Sequence, residues 1–187
     1  MKKLLAILTL SLLSVSTVFA ATGTLEYQNV DGVQGTADST NYRLGISEKI
    51  NNNFSGDVSF ITTAKQSNGS VSSSRMEGGL TGSATYGLFK PYMRVATGQR
   101  FTTTTNYTYY SVEPGVSMPI ASTGLTAKLG WRYRNAYDAT ANADETKAWR
   151  GTLSYAITPK DTVAVRYDRV RGDVNQNIWA FGYSRGF

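Results

Sequence analysis

Hydrophobic and polar residues alternate with a period of two over most of this chain, the spacing of strands with two unlike faces. The segment 124–136 is the clearest. Leu125, Ala127, Leu129, Trp131 and Tyr133 fall on one parity; Thr126, Lys128, Gly130, Arg132 and Arg134 fall on the other. Nine further segments repeat the scheme: 22–30, 40–48, 53–64, 75–86, 91–100, 107–118, 148–157, 162–170 and 178–187. In 53–64, Phe54, Val58 and Phe60 oppose Ser55, Asp57 and Ser59. In 75–86, Met76, Leu80, Ala84 and Tyr86 oppose Arg75, Glu77, Thr81 and Ser83. Segments 22–30 and 91–100 are the weakest patterned.

The links between segments alternate in character. NVDGVQGTADST, KQSNGSVSSSR, QRFTTTTNY, YDATANADETKA and VRGDVNQ are hydrophilic and mostly long; SEKINNN, GLFKP, PIASTG and TPKD are short. Such a rhythm puts long loops at one end of a sheet and tight turns at the other. It predicts an all-β, up-and-down antiparallel barrel of about ten strands, with eight or twelve as the neighbouring counts.

Alternation alone leaves open which face points inward. The polar parity carries long charged side chains interleaved with Gly, Ala, Ser and Thr. Glycine weakens a water-facing strand, whereas small residues beside long charged ones suit a crowded, curved interior. The apolar parity is rich in Tyr and Trp toward the strand ends. Trp131, Tyr133, Tyr107, Tyr110 and Trp149 fall near the long loops, and Tyr86, Tyr183 and Phe187 near the short turns. Rings at both edges of an apolar band match the two interfaces of a bilayer. Strands of 9–11 residues, tilted, match its thickness. The expectation is a transmembrane barrel with its apolar face in lipid, against a soluble periplasmic barrel as the opposing case.

The first twenty residues change the picture of where this barrel goes. MKK is a short basic start, LLAILTLSLLSVSTVF an apolar run, and Val18-Phe19-Ala20 supplies small residues at a cleavage site. Residues 1–20 thus read as a cleaved secretory signal peptide and 21–187 as one barrel domain. The whole chain has 19 Lys+Arg against 13 Asp+Glu, no histidine and no cysteine. The absence of cysteine excludes disulfides and thiolate metal sites. Export argues against nucleic acid as the partner of the basic excess.

The final stretch, IWAFGYSRGF, places Trp179, Phe181, Tyr183 and Phe187 on one parity. This pattern resembles the C-terminal signature of bacterial outer-membrane β-barrel proteins. It departs from that signature at Arg185, where an apolar or aromatic residue is usual. The resemblance implies insertion into the outer membrane, recognition of these four residues by the barrel-assembly machinery, and escort by periplasmic chaperones. Outer-membrane lipids and lipopolysaccharide are then the surroundings. A last strand that runs to the end of the sequence is expected to pair with the first, since open edges in lipid leave backbone groups unsatisfied. GWRYR at 130–134 and the arginine-rich inward parity are similar to the oligogalacturonate-specific porins, which have twelve strands against the ten read here.

Outer-membrane barrel enzymes resemble one another in using a histidine base, and this sequence has none. Glu77 and Glu113 are crowded by arginines and so are suited to ion pairing rather than proton transfer. No metal cluster or cofactor motif appears, so no enzyme activity and no cofactor is expected. The glycines of MEGGLTGSATYG read as close-packing sites in the wall. The candidate site is the lumen. Its expected basic lining is Arg43, Arg75, Arg94, Lys128, Arg132, Arg134, Arg150 and Arg166; its acidic lining is Glu26, Asp57, Glu77, Glu113 and Asp168. Two readings stand. In one, these charges pair with each other and fill the barrel, leaving a structural or loop-presenting protein. In the other, the basic excess lines a narrow anion-preferring channel for small acidic solutes.

Overall fold

The computed structural model describes residues 21–66, 73–102, 105–120 and 122–187; the predicted signal peptide, 1–20, lies outside them. Ten strands form: β1 (Ala21–Gly32), β2 (Ser39–Lys49), β3 (Phe54–Gln66), β4 (Ser74–Ser83), β5 (Lys90–Phe101), β6 (Asn106–Ile120), β7 (Leu125–Ala136), β8 (Thr146–Ala156), β9 (Asp161–Gly172) and β10 (Gln176–Gly186). Each pairs antiparallel with its sequence neighbours. β1 also pairs with β10, from Thr22 opposite Gly186 to Gly32 opposite Gln176, so the sheet closes into a barrel. Closure removes both sheet edges and satisfies every strand on both sides.

The strands differ from the sequence expectation at their ends. β4 stops at Ser83, so Ala84 and Tyr86 belong to the turn. There Tyr86 and Phe89 exchange backbone hydrogen bonds of 2.8 and 3.0 Å around Gly87 at φ 59°. The link between β9 and β10 is only 173–175, because both strands continue through residues read as loop. Backbone pairing does not stop where apolar alternation stops: Gly32 opposite Gln176 and Asp31 opposite Asn177 extend the ladder with polar residues. Tyr107 is also reassigned. It pairs with Arg100 in register and donates nothing to the outer aromatic belt, sharing instead the inward parity of Tyr109.

The outer wall is apolar. Leu25, Leu44, Val58, Val95, Leu129 and Val165 are all exposed on it. Aromatic contacts cluster toward the long-loop end, including Tyr27 with Tyr42 at 5.8 Å, Trp131 with Tyr133 at 6.4 Å and Tyr167 with Trp179 at 4.8 Å. The core is the lumen, and it is mainly polar. Its apolar part is a small cluster of Val30, Ala148, Val170 and Ile178, contributed by β1, β8, β9 and β10 near the long loops.

Gly172 ends β9 at φ 133°, where a Cβ would overlap the Glu145 carbonyl oxygen. Gly151, in mid-β8, has open space around the same position. Gly172→Ala is expected to lower stability by about 1–3 kcal/mol, and Gly151→Ala to leave it unchanged or slightly raised. The urea midpoint of the heat-modifiable folded band measures both.

Candidate functional site: the charged lumen

Strand alternation turns every second residue inward, and the register then decides which charges meet. On the β3–β5 side, Arg94 binds Asp57 bidentately, through Nε at 2.9 Å and Nη2 at 2.6 Å. Its Nη1 lies 2.8 Å from Glu77. On the other side, Arg150 donates to Asp168 from Nε at 3.0 Å and Nη2 at 3.1 Å, and to Glu113 from Nη1 at 2.7 Å. Arg166 binds Glu26 bidentately at 2.7 and 2.9 Å. Its Nε lies 3.2 Å from Asp168, an ion contact without hydrogen-bond alignment. Tyr92 donates to Glu113 at 3.0 Å, and Lys128 stands 4.0 Å from the same carboxylate and 4.0 Å over the Tyr92 ring. Gln28 extends the belt by donating to Glu26 at 2.6 Å, and Asn41 donates to Gln28 at 3.3 Å.

Three of these pairs reach past an intervening strand, and in two of them that strand carries a glycine tight against the pair. Arg94 (β5) reaches Asp57 (β3) over Gly79 of β4, where a Cβ would lie 2.6 Å from the guanidinium. Arg150 (β8) reaches Glu113 (β6) over Gly130 of β7, where a Cβ would lie 3.2 Å from Glu113 Oε1. Arg166 (β9) reaches Glu26 (β1) over Ala180 and Gly182 of β10. The close-packing role expected of the MEGGLTGSATYG glycines thus has a specific object at Gly79: it makes room for a salt bridge. Tyr109 packs its ring over Gly98 and Tyr92 over Gly115, so cross-strand aromatic–glycine pairs fill the wall beside the ions.

A second cluster sits nearer the long loops. Arg134 donates to Asp144 at 2.5 Å, and Arg100 lies 3.5 Å from the same carboxylate and donates to Tyr107 at 3.1 Å. Neither Arg100 nor Asp144 was among the sequence candidates. Arg100 was legible, since it continues the parity of Tyr92, Arg94, Ala96 and Gly98. Asp144 was not, because it lies in the link between β7 and β8 and is turned inward by tertiary contact. It is 0% exposed.

Of the sequence candidates, Glu26, Asp57, Glu77, Glu113 and Asp168 all have arginine partners, and Arg94, Arg134, Arg150 and Arg166 have carboxylate partners. Arg43, Arg75 and Arg132 face inward without any ion pair or hydrogen bond among the described residues. Trp179, Phe181 and Tyr183 project outward from β10. Phe187 donates its backbone N–H to Ala21 at 3.0 Å and sets its ring beside Gly23. Arg185, the departure from the terminal aromatic pattern, pairs with Asp161 at 3.3 Å, and Asp161 also accepts from Tyr183.

No family model matches the chain, and no curated protein does. Solved structures are similar in fold. The KdgM porin in complex with disordered oligogalacturonate aligns with a TM-score of 0.52 and 13% identity, over 89% of this chain and 99% of that one. An outer-membrane channel from Pseudomonas putida F1 aligns at 0.52 and 12%, over 91% and 96%. The β domain of the Bordetella autotransporter BrkA aligns at 0.57 and 10%, over 91% and 100%. The chain therefore has the closed antiparallel fold of outer-membrane β-barrels, porins among them.

Asp168 compensates two enclosed arginines, so Asp168→Asn is expected to cost about 3 kcal/mol, the scale for stripping one member from a buried ion pair. Asp161→Asn, at the exposed rim, should scarcely move the same urea midpoint. Gly130→Val puts a side chain where Tyr92 Oη and Glu113 lie; a loss of about 1–3 kcal/mol is expected, checked by the same gel assay.

Proposed function

We propose that this chain is an integral outer-membrane β-barrel whose lumen is closed by its own side chains, a structural and loop-presenting protein of porin-like fold rather than an enzyme. The observation that carries this reading is the burial of the inward face. Glu113, Asp168, Tyr109 and Val30 are each about 1% exposed, so water scarcely reaches them although all point into the barrel. A water-filled pore would leave such residues wet. Three of the arginines that would line it, Arg94, Arg150 and Arg166, are held in bidentate pairs instead.

The outer wall supports membrane placement. An apolar band that is exposed all round the barrel has no stable place in water. Apolar side chains also mark the short-turn rim, where Ile50, Tyr86, Leu88, Phe89 and Ile157 are exposed. At the opposite end Lys147 and Arg169 are exposed beside Trp149 and Trp179, a placement suited to lipopolysaccharide phosphates. Residues 1–20 then serve as the export signal. Trp179, Phe181, Tyr183 and Phe187 serve as the signal read by the assembly machinery after periplasmic chaperones deliver the chain.

A second reading has one observation in its favour. Small inward residues, among them Gly45, Ser154, Ala164 and Ser184, line the short-turn half, and they and Lys128 keep accessible surface there. This leaves a vestibule that a narrow anion-preferring channel for small acidic solutes would need, once the belt above it opened.

Purified protein in planar bilayers is expected to give no steady conductance steps. Reproducible steps would overturn the closed-lumen reading in favour of the channel, and Arg132→Glu should then move the reversal potential toward cation selectivity.

A further inference from the structure

The inward carboxylates of the barrel body, Glu26, Asp57, Glu77, Glu113, Asp144 and Asp168, are all already engaged by arginine. Among the described residues three inward guanidinium groups are left over: Arg43, Arg75 and Arg132. Their positions are related. Arg43 of β2 and Arg75 of β4 both stand opposite Ile61 of β3 in register, which sets their backbones two strand spacings, about 10 Å, apart on one wall. Arg132 enters from β7. All three have Glu77 as an electrostatic neighbour, and Glu77 is itself taken by Arg94 at 2.8 Å.

Arg43 also faces Glu26 and Arg132 also faces Asp168, but Arg166 holds the first and Arg150 with Arg166 the second, so each carboxylate near the three already has an arginine partner. Charge enclosed in a barrel wall cannot be left uncompensated cheaply, and no described side chain is available to compensate it. The surroundings offer further donors. Arg132 Nε is buried without a partner, and so is the hydroxyl of Ser59, which stands opposite Glu77 in register. Arg43, Arg75 and Arg132 are half-buried rather than fully buried residues.

We propose that the lumen holds a resident small inorganic anion, bound by Arg43, Arg75 and Arg132 beside the Arg94–Glu77 pair, as a structural counter-ion. The anion completes the internal ion network rather than passing through it. Guanidinium groups are matched to oxyanions through paired N–H donors, and a halide would satisfy the same charge. This inference rests on the closed-lumen reading. Conductance steps would sink that reading, whereas anion-independent stability would sink only this one.

The test uses the folded full chain in detergent micelles at constant ionic strength, with a bulky sulfonate buffer as the reference anion. Phosphate, and separately chloride, is titrated in while thermal loss of the heat-modifiable form is followed. The expected result is a saturable rise in midpoint of roughly 5 °C with at least one of the two anions, as for any ligand that binds only the folded state. Arg132→Gln should abolish the rise, and Arg185→Gln, at the outer rim, should retain it. Where Arg132→Gln does not fold, Arg75→Gln serves in its place. An unchanged midpoint of the unmodified protein in phosphate and chloride overturns the proposal. So does an undiminished rise in both lumen variants.

Discussion

A charge enclosed by a β-barrel must find an opposite charge inside it. This constraint organises the molecule. Desolvating an ion costs several kcal/mol, and the cost is offset only by close, well-directed partners. The bidentate pairs Arg94–Asp57, Arg150–Asp168 and Arg166–Glu26 are such partners. Adjacent strands alone do not supply them all, so arginines reach over a neighbour to the strand beyond. At two crossings the neighbour is bare: Gly79 of β4 lies under Arg94 and Gly130 of β7 lies against Glu113, whereas on β10 Arg166 stands opposite Ala180 and Gly182 is in ordinary contact with Glu26. Glycine within a strand costs conformational entropy and packing. Here that cost is offset by an ion pair that could not otherwise form.

The same constraint separates the two halves of the lumen. Toward the long loops the belt, the Arg134–Asp144 cluster and the apolar plug of Val30, Ala148, Val170 and Ile178 leave little accessible surface on many inward residues. Toward the short turns the inward positions are small and the charges few, and Lys128 marks the boundary. One end of the barrel is therefore packed like a protein interior, and the other is recessed. The balance of charge inside favours cations, and Arg43, Arg75 and Arg132 are what remains after the carboxylates are used.

Much of this was legible in the chain, and the reason is periodicity. A strand has a side-chain period of two, so parity alone assigns Leu129 and Val165 to one face and Lys128 and Arg166 to the other. Ten alternating runs joined by hydrophilic links lead to a closed antiparallel barrel, because open edges would leave unsatisfied backbone. Parity outweighs residue chemistry at two positions. Tyr107 shares the parity of Tyr109 and belongs inside, and Arg100 continues the inward run of β5. The strand ends were missed for a different reason. Hydrogen-bond ladders continue past the last apolar residue, as at Asp31 and Asn177, and nothing in hydrophobic patterning records that.

Pairing was beyond the reach of the sequence. Which arginine meets which carboxylate depends on register and on the curvature that brings second-neighbour strands within reach of one another, and neither is a local property. Asp144 shows this most plainly: an aspartate in a polar link reads as solvent-facing, yet contacts from β7 enclose it against Arg134. The sequence by itself determined the strands, their two faces and the enclosure of charge, because those follow from a period of two along one chain. Only the tertiary structure decided that most of those charges are paired, two of the pairs across bare glycines, while three guanidinium groups among the described residues are left over, because that outcome depends on distances between strands far apart in the chain.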